Sequence, residues 1–300
     1  MGIKNLMKLI DKYSPNSIVN TKITDYNDTI LGIDSSLMIY KLIYAIRKNG
    51  YDIKNNDIIV THIHAMLQKL LSFHKHNIFG VFVFDNKPHQ MKENTLNKRD
   101  KQNIINKQKY ELDNERFFYL KTDISNKEIQ ECKELIDIFG YQCIDAFEEA
   151  DSQLAYMSKM NIIDAIVSDD MDILTFGGKF LLKNFSVSDK EYIQEISLDI
   201  LLKDLNITYD QFIDLCILLG CDYCENIKGI GPVKVFNMIK GDDKITINNF
   251  HQVKQYFLDC PHKKVKIKKN TIDINKLVTF LKQYNFSDKY INKVVDKLNK

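Results

Sequence analysis

The sequence predicts an α/β fold, a twisted and mostly parallel central sheet flanked by helices on both faces. Short apolar runs rich in branched and aromatic residues alternate along the chain with longer stretches of helical period, and each run is followed by a helix start. Several of those runs also stop on a carboxylate. In open α/β sheets the carboxyl ends of the strands are where ligand sites lie.

The elements follow in order. Residues 29–33 form a short apolar run, and the small polar side chains of Asp34, Ser35 and Ser36 can cap a helix at 37–47. A second helix is expected at about 58–74. Gly80-VFVF-Asp85 is a β-rich run that again ends in an acid. From 92 to about 120 the chain is polar and helical without a wide apolar stripe, which predicts a helix standing away from the core. Ser125-Asn126-Lys127-Glu128 is a capping box opening a helix whose Ile129, Cys132, Ile136 and Phe139 share a face, and Gly140 suits its C-terminal end. YQCIDA is the next strand, 149–160 the next helix, and 165–167 the strand behind VSDDMDILTFG.

Composition bounds the function. With 44% hydrophobic residues, 300 residues suit one large globular unit or two small ones with a proper core. The longest apolar stretch, near 78–84, is far short of the roughly 18 residues that span a bilayer, and MGIKNLMKLI lacks a signal-peptide profile, so an intracellular protein without a membrane partner is expected. Leu6 stands where a myristoylation signal needs serine or threonine. Six cysteines in a chain of this length do not make a disulfide scaffold. Cys221 and Cys224 form a C-x-x-C, but Cys216, Cys260 and His262 lack the spacing of a second zinc pair, so small buried residues beside a turn are expected. His62 with His64, and His74 with His76, are spaced to point apart on a helix and read as core or surface residues.

A net charge of +2 does not by itself indicate a nucleic-acid partner, but the distribution is more telling. Lys87, Lys92, Lys98, Arg99, Lys101, Lys107 and Lys109 crowd one segment and Lys263, Lys264, Lys266, Lys268 and Lys269 another, while acids gather at 145–172. Solvated faces would produce the same basic runs; the specific reading is a polyanion bridging them, with cations neutralising the acidic centre and binding that weakens steeply with salt. Asp34, Asp85, Glu149, Asp151, Asp169, Asp170, Asp172 and Asp222 all stand on the carboxyl side of apolar runs. A single such acid is ordinarily a helix cap. A ring of them cannot stay ionised without cations, and oxygen-only ligands suit Mg²⁺ or Mn²⁺, two of which roughly 4 Å apart would clamp a phosphodiester hydrolysis.

MGIKNL at the start, IDSSLMIY at 33–40, VFDNKPHQMK at 83–92, EADSQLA at 149–155, SDDMDILTFG at 168–177 and LLGCDYCENIKGIGPVK at 218–234 resemble, in order and spacing, the flap endonuclease family of structure-specific 5′ nucleases. The resemblance covers nearly the whole chain. It implies a PIN-like 5′-nuclease fold in a single domain, 1–300: an N-terminal nuclease region at 1–87, a helical arch at 88–131, an internal nuclease region at 132–204, a helix-two-turn-helix at 205–260 and a basic helical region at 261–300.

The resemblance also assigns residues. Asp34, Asp85, Glu149, Asp151, Asp170, Asp172 and Asp222 fall on the family's metal-binding carboxylates, for two Mg²⁺ ions that Mn²⁺ can replace, and Asp169 becomes a supporting acid. Lys92 and Arg99, seven residues apart and so on one helix face, match the basic pair that reaches the scissile phosphate, with Asp34 and Asp85 completing the catalytic set. Tyr40 matches an aromatic that stacks on a nucleobase, although at its spacing between Leu37 and Tyr44 it reads equally as core. Gly2 and Arg47 align near the substrate. Gly229, Gly231 and Lys234 belong to the turn that holds duplex phosphates, and the Asn226 side chain with the carbonyls of Ile227 and Ile230 to a K⁺ site where the family more often has serine than asparagine.

The implied activity is cleavage of branched DNA at a 5′ flap, with 5′→3′ exonuclease activity, by a monomer acting in lagging-strand maturation and base-excision repair in the nucleus or another intracellular site of replication. The rivals are a predominant 5′→3′ exonuclease and a catalytically dead binding scaffold. A dehydrogenase or kinase is disfavoured because no glycine-rich phosphate loop follows the first strand. Phe147 and Glu148 replace small or proline residues common before the family's glutamate, and the segment between Asp85 and Glu149 is short, so a reduced arch is expected. No Q-x-x-(aliphatic)-x-x-aromatic-aromatic tail is present, so sliding-clamp binding through that tail is not expected.

Overall fold

Alternation of apolar side chains along short strands dictates a sheet with two covered faces, and the chain builds one. The computed structural model describes residues 2–87, 90–92, 124–186, 188, 190–224, 227, 229–241, 247 and 249–299. The polar helix expected at 92–120, most of the expected arch, Arg99 and Asn226 lie outside the described residues. In chain order the elements are α1 (Leu6–Tyr13), β1 (Ile18–Thr21), β2 (Ile30–Asp34), α2 (Ser35–Arg47), β3 (Lys54–Asn55), β4 (Ile58–Ile59), α3 (Thr61–Lys75) and β5 (Phe79–Phe84). After these come α4 (Asn126–Ile138), β6 (Gln142–Asp145), α5 (Ala150–Lys159), β7 (Ala165–Val167), α6 (Asp172–Thr175), β8 (Phe180–Lys183) and β9 (Ile193–Ser197). The helices α7 (Leu198–Leu205), α8 (Tyr209–Leu219), α9 (Pro232–Lys240), α10 (Phe250–Asp259), α11 (Ile274–Gln283) and α12 (Asp288–Leu298) complete the fold.

The local signals act as read. Asp34 caps α2, its Oδ1 accepting from Leu37 N–H at 3.2 Å. Ser125 and Glu128 close a reciprocal capping box on α4. One boundary moves: the helix expected from 58 starts at Thr61, because Ile58 and Ile59 pair with Lys54 and Asn55 in a small hairpin that turns through Asn56 at φ 53°. The antiparallel edge was not read from the sequence, since β9 (Ile-Gln-Glu-Ile-Ser) and β1 carry polar residues between their apolar ones.

The main sheet runs β1-β9-β8-β7-β2-β5-β6, parallel from β8 to β6 and antiparallel at the β8-β9 and β9-β1 pairs. Side chains alternate between two cores. Val81, Val83, Ile166, Leu181 and Ile196 face one, together with α1, α5 and α7 to α10. Leu31, Ile33, Phe82, Phe84 and Leu182 face the other, with α2, α3, α4, α11 and α12. The chain leaves β2 for β5 and β6 on one side, then returns to lay β7 and β8 on the other. That reversal opens a crevice at the carboxyl ends of β2 and β7, where a doubly wound sheet accommodates a ligand.

Arg47, at the end of α2, is buried within the fold. Its Nε donates to Asp52 Oδ1 at 2.9 Å and its Nη2 to Glu128 Oε1 at 3.2 Å, tying α2 to the approach of the hairpin and to the cap of α4. Thr61 Oγ1 donates to the same Asp52 oxygen at 2.6 Å. Removing the guanidinium would leave two partly buried carboxylates without their counter-charge. Arg47→Ala is expected to cost about 3 kcal/mol, read as a lower urea midpoint; an unchanged midpoint would show that the network does not stabilise the fold.

Candidate active site

The carboxyl edge of the sheet gathers the acids that the strand ends predict. Asp34 ends β2, and its Oδ2 accepts from Ser168 Oγ at 2.9 Å, which ties β2 to the turn after β7. In that turn Asp170 N–H donates to Ser168 Oγ at 3.1 Å and Asp172 N–H donates to Asp170 Oδ1 at 3.0 Å, aiming both side chains inward. Asp222 arrives from another direction, two residues beyond Gly220, whose φ of 96° ends α8. The result is that one oxygen from each of Asp170, Asp172 and Asp222 lies within 4.8 Å of the others.

Glu149 and Asp151 come in at the N-terminus of α5. Asp85, itself exposed, accepts from Ala150 N–H at 2.9 Å and so holds that helix start in place. Glu149 Oε2 accepts from Lys92 Nζ and from Tyr223 OH (3.1 Å), and its Oε1 lies 3.4 Å from Tyr256 OH, which shares its one proton with Glu148 Oε2 at 3.1 Å. Lys92 Nζ also lies 3.6 Å from Asp222 Oδ2. Tyr223 and Tyr256 were not singled out from the sequence. Tyr223 is adjacent to Asp222 in the chain, whereas nothing local marks Tyr256, which is carried in on α10.

Electrostatics mark the site as a cation binder. Burial, then the charge of Asp85, pushes the Asp34 carboxyl up from 3.8 to about 7. Burial and the neighbouring Asp170 also raise Asp151 and Asp172 well above the ordinary carboxylate range. Burial pulls the Lys92 ammonium down, but Glu149 and Asp151 outweigh it and hold it raised. Asp151 Oδ1 and both carboxylate oxygens of Asp172 are buried without a hydrogen-bond partner. An all-oxygen set with unpartnered buried carboxylates fits a hard divalent cation. Among the described residues, Asp170, Asp172 and Asp222 form the one group of three or more ligand side chains close enough to share an ion.

The other expected residues separate into those beside the site and those elsewhere. A Cβ on Gly2, at φ 81°, would collide with Asp170 Oδ1 and lie 2.9 Å from Asp172 Oδ1, so only glycine lets the first residues approach this closely. Tyr40 is 42% exposed and stacks on Tyr44 with ring centroids 6.1 Å apart, which removes the core reading. Asp169 turns away from the cluster: it pairs with Lys41, its carbonyl accepts from Lys183 Nζ at 2.7 Å, and its Oδ1 accepts from Asn184 N–H at 2.8 Å. Arg47, at the end of α2, pairs with Asp52 and Glu128.

Farther from the acids, Gly229 adopts φ 79° with open space around it, Gly231 precedes α9 with Pro232 in the first turn, and Lys234 is exposed. The Ile227 carbonyl accepts from Ile230 N–H at 3.4 Å within that turn. Cys221 and Cys224 face each other across 3.3 Å at the bridge bracketing Asp222, in keeping with the turn-side reading. The lysines of the 263–269 run are exposed along a segment held by Gln153 and Gln142, whose side chains pair with the backbone of Lys263 and Lys268.

Comparison with known proteins agrees with this arrangement. The XPG N-terminal domain matches residues 1–105 and the XPG I-region matches 140–222, together more than half of the chain. Flap endonuclease 1 of Theileria parva is 33% identical over all of this chain, which spans 66% of that relative's length. Flap endonuclease-1 from Methanococcus jannaschii superposes with a TM-score of 0.72 at 25% identity, covering 94% of this chain and 95% of that one. The catalytic core of Rad2 in complex with DNA substrate shares the fold, with a TM-score of 0.78 at 22% identity over 99% of this chain and 100% of that one. No helix among the described residues is long and apolar enough to cross a membrane. With both the N-terminal and the I regions contributing carboxylates to one crevice, the chain belongs to the XPG/flap endonuclease family.

Proposed function

We propose that this protein is a divalent-metal-dependent, structure-specific nuclease that hydrolyses phosphodiester bonds near the single-strand to duplex junction of 5′-flapped DNA, with 5′→3′ exonuclease activity at the same site. The observation that carries this reading is the buried carboxylate crevice with unpartnered oxygens on Asp151 and Asp172. The relatives' names as flap endonucleases and the Rad2 complex with DNA support the substrate class.

In this reading Asp34, Asp85, Glu149, Asp151, Asp170, Asp172 and Asp222 hold or surround two Mg²⁺ ions, with Mn²⁺ a substitute. Bound there, such ions supply Lewis-acid activation of water and neutralise charge building on the phosphate. The chain's own groups do the rest. Lys92, already at the cluster, presents an ammonium to the phosphate's nonbridging oxygens, with Arg99 as the second cation of the pair. Tyr40, exposed on α2, offers a face for a base to stack on. Gly229, Gly231 and Lys234 would hold the uncleaved duplex by its backbone, and Asn226, Ile227 and Ile230 are the residues that would hold a K⁺ ion beside it. The protein acts as a monomer in lagging-strand maturation and base-excision repair, at an intracellular site of replication such as the nucleus.

The test is single-turnover cleavage of an end-labelled double-flap DNA. One discrete junction product is expected with Mg²⁺, and none with Ca²⁺ or with Asp170→Ala, which should lower the rate at least about 100-fold while DNA binding persists. Binding without cleavage under every condition would instead leave a scaffold.

A second expectation follows from the carboxyl shifts. In the metal-free protein the folded state retains protons on Asp34 up to about pH 7 that the unfolded chain releases near 3.8, so stability falls as pH rises through that window. The melting temperature in EDTA should therefore drop between about pH 5 and 7, and added Mn²⁺ should flatten the slope. A metal-free melting temperature that climbs over this range would contradict it.

A further inference from the structure

Glu149 opens α5 without capping it, so its side chain is free to take direction from partners on other elements. Two of those partners are phenols. Tyr223 OH donates to Oε2 at 3.1 Å, and Tyr256 OH stands between Glu149 Oε1 at 3.4 Å and Glu148 Oε2 at 3.1 Å. The two rings pack edge to face with centroids 5.0 Å apart, and both contact Phe176, which directly follows the short helix begun by Asp172. Phe257, next to Tyr256, closes the same aromatic group against Phe176 at 4.8 Å. Both hydroxyls are thus held by rigid buried rings. Residue 256 lies on α10, outside both segments matched by the family's N-terminal and I regions.

We propose that Tyr256 is a positioning residue for the active site: its hydroxyl, opposite that of Tyr223, fixes the rotamer in which Glu149 presents its carboxylate to a divalent cation. The inference rests on the metal-dependent reading above and adds a dependence of cation affinity on the C-terminal part of the chain. A carboxylate held by a fixed donor on one lone pair keeps the other aimed and loses less freedom when a cation binds. Glu148 accepts from the same hydroxyl, so the two adjacent glutamates and the tyrosine on α10 form one unit.

The test uses the full chain with Mn²⁺ alone, in the absence of DNA, following free Mn²⁺ by electron paramagnetic resonance. Tyr256→Phe keeps the ring that packs on Phe176 and Tyr223 and removes only the donor. It is expected to bind Mn²⁺ about 10-fold more weakly than the wild type, with little change in melting temperature in EDTA. Equal Mn²⁺ affinity would overturn the proposal. A lower melting temperature at unchanged affinity would also overturn it, leaving Tyr256 a packing residue. If the wild type itself binds no Mn²⁺, or binds it as well after Asp170→Ala, the metal reading fails and takes this inference with it.

Discussion

Six carboxylates buried at one edge of a sheet repel one another, and the surroundings of the crevice answer that repulsion. Asp34, Glu149, Asp151, Asp170, Asp172 and Asp222 are all buried, and in a medium of low dielectric their charges cannot coexist without compensation. Backbone and hydroxyl donors satisfy Asp34 and Asp170. An ammonium and the Tyr223 phenol satisfy Glu149, with the Tyr256 phenol shared between it and Glu148. Asp151 and Asp172 retain oxygens with no hydrogen-bond partner, a deficit of the kind that a hard divalent cation answers.

The fold supplies rigidity where that deficit is greatest. Strands β2 and β7 hold Asp34 and the 168–172 turn in parallel register, and the ordered starts of α5 and α6 fix Glu149, Asp151 and Asp172. Groups carried on packed elements lose little further freedom when a ligand arrives, so their attraction is not spent on ordering. The N-terminus takes part as well. Gly2 approaches Asp170 and Asp172 more closely than any side chain would permit.

Lys92 shows how the charges are balanced from outside the sheet. Its ammonium meets Glu149 and lies near Asp222, so it touches the acids directly. A cation entering the crevice competes with that ammonium for the same oxygens. Protein charge and bound charge are therefore alternatives at Glu149 and Asp222.

Much was legible in the chain alone because its signals are local. The period of apolar residues marked the strands and most helices, capping chemistry marked Asp34 and Ser125, and the recurrence of acids after strands marked the cation site. What remained depended on partners distant in sequence. VSDDMDILTFG contains three aspartates that sequence cannot rank; only the placement of Lys41, Lys183 and Asn184 turns Asp169 outward while Asp170 and Asp172 turn in. Arg47 and Tyr40 lie on one helix, and tertiary packing alone buries the first between Asp52 and Glu128 and leaves the second exposed. Tyr256 reaches Glu149 across 107 positions of chain. Backbone period and caps are short-range and can be read along a sequence, whereas the direction of a side chain at a turn is set by whichever charges and donors the rest of the fold brings beside it.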